Sequence, residues 1–294
     1  MKAPLPTVAG VGPSRQWLPA GSWKTVLDYF KEQFPQVALK TWTTRMAKGE
    51  VMDETGRRVD PQTAYRVGAC IFYYREVENE KFNPNVEHVL YQDEHILVAD
   101  KPHFLPVIPS GRFLHETLLV RLQKNHNAEG LVPVHRLDRE TAGVVLFSVN
   151  PRTRRHYTAL FRNRKVTKVY EALAPTLDAA RVPTTRRSRI VRGEPFFRMK
   201  EVSGEANSET HISPIHNLGR NTLYQLVPVT GRKHQLRLHL AALGIPIVND
   251  KLYPEMIRLD DDDFSNPLKL LAKSLSFQDP LTGQKHYFES GTKL

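Results

Sequence analysis

The sequence holds a single cysteine, Cys70, in 294 residues. One thiol excludes an intrachain disulfide and a cysteine-based metal cluster. Its apolar setting, Gly68-Ala69-Cys70-Ile71-Phe72, marks a small core residue. No apolar run approaches the roughly 18 to 20 residues of a membrane-spanning helix. The opening Met1-Lys2-Ala3-Pro4-Leu5-Pro6 has no apolar signal region, so a cytoplasmic protein with no membrane partner is expected. Acidic residues are the minority: Asp and Glu number 31 against 42 Lys and Arg, a formal net charge of +11. Such a balance favours a polyanionic partner, because each phosphate contact releases counterions. A hydrophobic fraction of 40% supports a core, and the length fits one large domain with a satellite, or two domains.

What is present is organised around one stretch, Val134-His135-Arg136-Leu137-Asp138-Arg139-Glu140-Thr141-Ala142-Gly143-Val144-Val145-Leu146-Phe147. One carboxylate, Asp138, stands among His135, Arg136 and Arg139, ahead of an apolar run that reads as a buried strand. An acidic group held by a rigid strand suits catalysis. The same pattern also fits a turn-former or helix cap paired with Arg136.

His-Arg-Leu-Asp-x-x-Thr-Ala-Gly before an aliphatic strand resembles the active-site motif of the RluA-type RNA pseudouridine synthases, with Ala142 where Ser is usual. Two further segments, in the family's order, extend the resemblance over roughly residues 85 to 294. Lys168-Val169-Tyr170 resembles the second motif, and alternation puts Lys168 and Tyr170 on one face of a strand. Thr230-Gly231-Arg232-Lys233-His234-Gln235-Leu236-Arg237 resembles the third, a Gly turn running into a helix. The match continues to Asn249-Asp250-Lys251-Leu252-Tyr253, with Asn249 where the family has Gly; Asn tolerates a left-handed backbone.

The resemblance implies an α+β protein on the pseudouridine synthase fold: a mixed, largely antiparallel central sheet flanked by helices and loops. It also implies an isomerase that breaks the bond from ribose to uracil nitrogen and remakes it to a ring carbon, in rRNA or tRNA, with no cofactor and no metal. Carried over residue by residue, Asp138 is the essential catalytic group, as nucleophile or as base. Arg237 pairs with it, and Tyr170 stacks on the target base and helps to remove its proton. Arg136 fills the space that the extruded uridine leaves. His135, Lys168, Arg232, His234 and Gln235 complete the substrate-binding set.

Elsewhere the chain divides into three parts. Residues 1–20, rich in Pro and Gly, read as a flexible leader. Residues 21–80 read as a small module: a helix capped by Ser22, a second short basic helix, and short strands. This part resembles the α-L RNA-binding module first known from a small-subunit ribosomal protein; a plain α+β cap is the alternative. Residues 85–294 form the catalytic domain, which opens with a hairpin over residues 89–102. Lys101 at its end meets RNA phosphate or is a solvated strand end.

A helix is expected over residues 115–122. Residues 152–165, with Arg152, Arg154, Arg155, Arg162, Arg164 and Lys165, read as a cationic helix offering a phosphate-binding face or simply a solvated one. Residues 181–200 read as a basic irregular loop or hairpin at the mouth of the site, and residues 260–263 as a solvated acidic loop. A monomer is expected, since no extra apolar stripe is visible. Two rivals remain. A non-catalytic RNA-binding protein on the same fold would not need Asp138, Tyr170 and Arg237 together. A hydrolase using Asp138 with Glu140 would not explain the third motif.

Overall fold

The structure, a computed structural model, describes residues 3–8, 10–77, 80–126, 128, 130–178, 184–257 and 263–294. The chain forms two compact units, one of Met1–Glu80 with Gly111–His115, the other of Lys81–Ser110 with Glu116–Leu294.

The smaller unit begins with β1 (Ser14–Trp17), α1 (Val26–Gln33), α2 (Leu39–Ala47), β2 (Val51–Met52) and β3 (Cys70–Tyr73). Its sheet has the order β1-β3-β2. Residues 1–20 are therefore not uniformly a leader: Ser14 to Trp17 pair with Tyr73 to Cys70, and Leu18 is buried. The cap of α1 is Thr25, not Ser22. The Thr25 hydroxyl accepts from the Asp28 amide at 3.1 Å, and the Asp28 carboxylate accepts from the Thr25 amide at 3.0 Å. This reciprocal box satisfies two amides that the helix itself leaves free. Phe30, Trp42 and Tyr73 pack at the centre, with Phe30 and Trp42 ring centroids 4.5 Å apart.

The larger unit runs β4 (His88–Gln92), β5 (Ile96–Lys101), α3 (Leu118–His126), β6 (Val132–Pro133), β7 (Ala142–Ser148), α4 (Arg154–Arg162) and β8 (Val166–Pro175). It continues with β9 (Thr184–Arg192), β10 (Met199–Val202), β11 (Ser208–Asn217), β12 (Asn221–Pro228), α5 (Gln235–Ala242), β13 (Leu270–Gln278) and β14 (Lys285–Glu289). These strands make an 11-stranded sheet ordered β10-β9-β11-β12-β8-β13-β7-β5-β4, with β14 on β13 and β6 on β7. Among the described residues β13 and β7 pair in parallel and the other strand pairs of this sheet are antiparallel. A mixed, largely antiparallel sheet is thus what the sequence patterns build.

Every residue of β7 is buried. Burying Val144, Val145, Leu146 and Phe147 contributes about 1.5–3 kcal/mol each, which fixes the strand's place in the sheet. Gly143 makes the parallel pairing possible. Its φ is +115°, and a Cβ there would lie 2.2 Å from the Ala272 carbonyl oxygen.

Of the two expectations for the basic stretch, an irregular loop or a hairpin, the structure forms the hairpin, with β9 and β10 as its antiparallel arms. β9 pairs with β11 on one side and with β10 on the other. Residues 181–183 of the expected stretch lie outside the described residues, as do 260–262 of the acidic run; Asp263 accepts from the Ser265 amide at 2.8 Å. The helix expected from residue 115 starts at Leu118, where the Thr117 hydroxyl accepts from the Val120 amide at 3.3 Å.

Candidate active site

Asp138 opens a four-residue turn that leads into β7, with the Thr141 amide donating to the Asp138 carbonyl at 3.2 Å. The turn is anchored from beneath. The Lys101 ammonium, at the end of β5, is fully buried and donates to the carbonyls of Pro102 (2.9 Å), Leu105 (2.8 Å) and Arg139 (3.1 Å). Three acceptors match the three N–H groups of an ammonium. Burial pulls its pKa down to about 7, against the nearby charges of Glu140 and Asp138. Lys101 therefore does not reach RNA phosphate and is not a solvated end. The other side of the turn is tied by His103, whose Nδ1 lies 2.6 Å from the Glu140 carbonyl oxygen. The Glu140 side chain accepts from Arg139 Nε at 2.8 Å. Burial pushes Glu140 up, but Arg139 and Arg237 outweigh this and hold it below the usual carboxylate range.

The Asp138 side chain does not cap its own turn. Among the described residues it accepts no hydrogen bond, and it is 26% exposed. Arg237 Nη1 stands 3.7 Å from its Oδ2, and His234 Nε2 stands 3.8 Å from its Oδ1.

Both neighbours come from the third motif. The turn after β12 is locked by Gln235, whose amide oxygen accepts from the Thr230 hydroxyl (2.7 Å) and the Arg232 amide (3.0 Å). Its nitrogen donates to the Glu209 carbonyl (3.0 Å) and the Thr210 hydroxyl (2.9 Å). His234 then takes a left-handed backbone, φ 56°, and α5 begins. Arg237 in that helix is 1% exposed. Its Nε and Nη2 bond the two carboxylate oxygens of Asp250 at 2.7 and 2.6 Å. Burial would lower its pKa, but Asp250, and behind it Asp138 and Glu140, drive it up, so the guanidinium stays charged. Among the described residues its buried Nη1 has no hydrogen-bond partner. The fork thus has two prongs satisfied and the third turned to the partly exposed Asp138 carboxylate.

Tyr170 lies on β8 and packs against the core cluster that includes Leu236 and Leu240 of α5. Its phenol is pushed up by burial and then by the Asp138 charge, so it stays protonated. Lys168, on the same strand face, has its Nζ 3.5 Å from the Thr230 carbonyl oxygen. Burial lowers its pKa, and Arg164 adds to this.

The structure thus brings Asp138, Arg237 and His234 into one cluster, with Tyr170 within the field of Asp138. Arg136 is exposed on the same loop. Of the other expected substrate ligands, Gln235 and His135 are engaged within the protein. Gln235 has all four of its hydrogen-bonding positions used, so it shapes the turn rather than reaching a substrate. His135 accepts from the Leu146 amide at 3.0 Å through Nε2 and stacks on Phe161 with centroids 4.6 Å apart. Arg232 is exposed, with its Nε donating to the Asn207 carbonyl at 3.1 Å. Sequence reasoning gave no role to Asp250 or to Tyr253, whose hydroxyl is 2.8 Å from His234 Nδ1. The only signal for either was their place in the segment after the third motif.

A large, mostly antiparallel sheet thus sets a buried arginine beside a partly exposed aspartate, in a chain of strong positive charge. The comparisons with known proteins show the family. The sequence profile described as RNA pseudouridylate synthase matches residues 95–242. An uncharacterised RNA pseudouridine synthase of Synechocystis sp. is 29% identical over 236 residues, covering 78% of this chain and 79% of that protein. The dual-specificity RNA pseudouridine synthase RluA of Vibrio vulnificus is 33% identical over 217 residues, covering 69% of this chain and 80% of that protein. Among solved structures, human RNA pseudouridylate synthase domain containing 4 superposes with a TM-score of 0.54 at 26% identity, covering 70% of this chain and 88% of that one. The chain belongs to the RNA pseudouridylate synthase family and forms pseudouridine in RNA.

Proposed function

We propose that Asp138 carries the isomerisation of selected uridines in structured RNA, either rRNA or tRNA. The observation that supports this most is the Asp138 carboxylate itself: partly exposed, free of hydrogen bonds among the described residues, and faced by a buried N–H of Arg237 at 3.7 Å. Asp138 attacks the anomeric carbon or takes a ribose proton once the uridine has left the stack. Arg237 faces the carboxylate and orients it. Arg136, exposed beside it, fills the vacated space in the RNA. Tyr170 gives the freed uracil a stacking surface; its raised pKa favours that role over service as a phenolate base. The exposed Arg152, Arg155, Arg162, Arg164 and Lys165 along and beyond α4 give the RNA backbone a cationic track. The small N-terminal unit adds RNA contacts, and the protein acts as a cytoplasmic monomer.

The test uses uridine-labelled rRNA and tRNA with no added cofactor. Pseudouridine from the wild type and none from Asp138→Ala, with RNA binding retained, is the expected result. RNA bound by both with no product from the wild type would support a non-catalytic binding protein instead. Pseudouridine mapping in a deletion strain then identifies the RNA: the site that disappears is the substrate.

A further inference from the structure

The two nitrogens of His234 face different partners. Nδ1 lies 2.8 Å from the Tyr253 hydroxyl, and Nε2 lies 3.8 Å from Asp138 Oδ1. Tyr253 is 3% exposed, and its hydroxyl already accepts from the Met199 amide at 2.8 Å. Among the described residues His234 Nδ1 is the one acceptor that the hydroxyl proton finds. If Nδ1 bore the imidazole proton, the hydroxyl oxygen would receive two donors and its own proton would be buried unused. A buried donor left without an acceptor is strongly disfavoured. The hydroxyl therefore donates to Nδ1, and the proton of the neutral ring sits on Nε2, on the side of Asp138. The ring is kept neutral chiefly by burial; Asp138 and Glu140 oppose this, and Arg237 and Lys233 reinforce it.

We propose that His234 is a positioning residue for Asp138: its Nε2–H, fixed by Tyr253, is a second donor beside Arg237 that closes on the carboxylate when RNA fills the site. The inference rests on Asp138 being the reactive group. Tyr253 is held in turn by the β9–β10 hairpin. Besides the Met199 amide, Lys233 Nζ donates to the Phe197 carbonyl at 2.8 Å, and Arg198 donates to the Pro254 carbonyl at 2.9 Å. The Arg198 guanidinium also stands over the Tyr253 ring, 5.1 Å from its centroid. One line of contacts thus runs from a hairpin with exposed Arg187, Arg189, Arg192 and Lys200 to the Asp138 carboxylate. RNA seated on the hairpin stiffens the tyrosine, and the tyrosine fixes the histidine.

The experiment reads the tautomer and the kinetics on the full chain. Nitrogen-15 NMR of histidine-labelled wild type shows His234 with the proton on Nε2; a proton on Nδ1 overturns the proposal. Tyr253→Phe removes the donor, so the tautomers mix and kcat falls roughly tenfold while KM for RNA stays put. Unchanged kcat, or a rise in KM alone, overturns it. His234→Gln, whose amide reaches the Nε2 position, keeps kcat within about threefold of wild type, whereas His234→Leu loses about tenfold or more. Equal losses in Gln and Leu would reduce the histidine to packing. Product formed by Asp138→Ala would instead sink the underlying reading of Asp138, and the NMR result would stand apart from it.

Discussion

Asp250→Asn separates a structural ion pair from a catalytic one. The side chains of Arg237 and Asp250 are 2% and 1% exposed, so the charge left on Arg237 has no water to turn to. Breaking a buried pair by removing one partner costs about 3–5 kcal/mol. Asparagine keeps Oδ1, and with it the bonds from the Leu252 and Tyr253 amides at 2.8 and 3.1 Å. The loss is therefore confined to the pair, where an amide nitrogen now faces Arg237 Nε in place of Oδ2. For a unit of this size about 1 kcal/mol moves the melting temperature by about 2–4 °C, so a drop of roughly 6–20 °C is expected. Asp138→Asn is the control: its side chain is 26% exposed and 3.7 Å from Arg237, so its melting temperature stays near that of wild type. Activity falls in both variants, but stability falls only in one. Thermal unfolding of the three proteins side by side checks this. A melting temperature for Asp250→Asn within about 2 °C of wild type would refute the claim that Asp250 neutralises Arg237.

Other outcomes follow from the same geometry. His135 must be neutral to accept from the Leu146 amide, and burial lowers its pKa to about 3 from 6.5. Between those values the unfolded chain binds a proton that the folded one does not, so stability falls as pH drops through that window, by up to about 1.4 kcal/mol per pH unit. His135→Gln, which still offers an oxygen to Leu146, flattens this fall in urea unfolding measured from pH 7 to pH 4. Tyr170→Ala removes a stacking face worth about 1–3 kcal/mol and raises KM for RNA by about fivefold or more, whereas Tyr170→Phe leaves KM unchanged in steady-state assays. Arg155→Ala with Arg162→Ala, both exposed on α4, weakens RNA binding and lowers the slope of log affinity against log salt by about 1 to 2 in filter-binding titrations.

The sequence made legible what local pattern controls. Val144 to Phe147 read as a buried strand and are one, because an unbroken aliphatic run has nowhere else to go. The Gly231 turn into a helix read correctly, and Asn249 adopts the left-handed backbone, φ 64°, that its side chain tolerates. Pairings that close over long distances were not legible. Ser14 to Trp17 are too few, and too polar, to announce a strand; they become one only when β3, more than fifty residues later, supplies the ladder. Residues 184–192 show no alternation of apolar with polar side chains, and only Ile190 and Val191 are apolar, yet the β11 edge recruits the segment. The choice between Thr25 and Ser22 as the cap turned on Asp28, three residues beyond Thr25. In the site, Asp138 and Arg237 were visible as motif residues. The bidentate bond of Arg237 to Asp250 needed the turn at Asn249 to bring the carboxylate back over α5.

The most direct measurement is single-turnover conversion of bound, uridine-labelled RNA by Asp138→Asn, a variant that keeps the size and place of the side chain and removes only its charge. The account predicts that the RNA is bound as by wild type and that no pseudouridine accumulates. Conversion at the wild-type rate would contradict it.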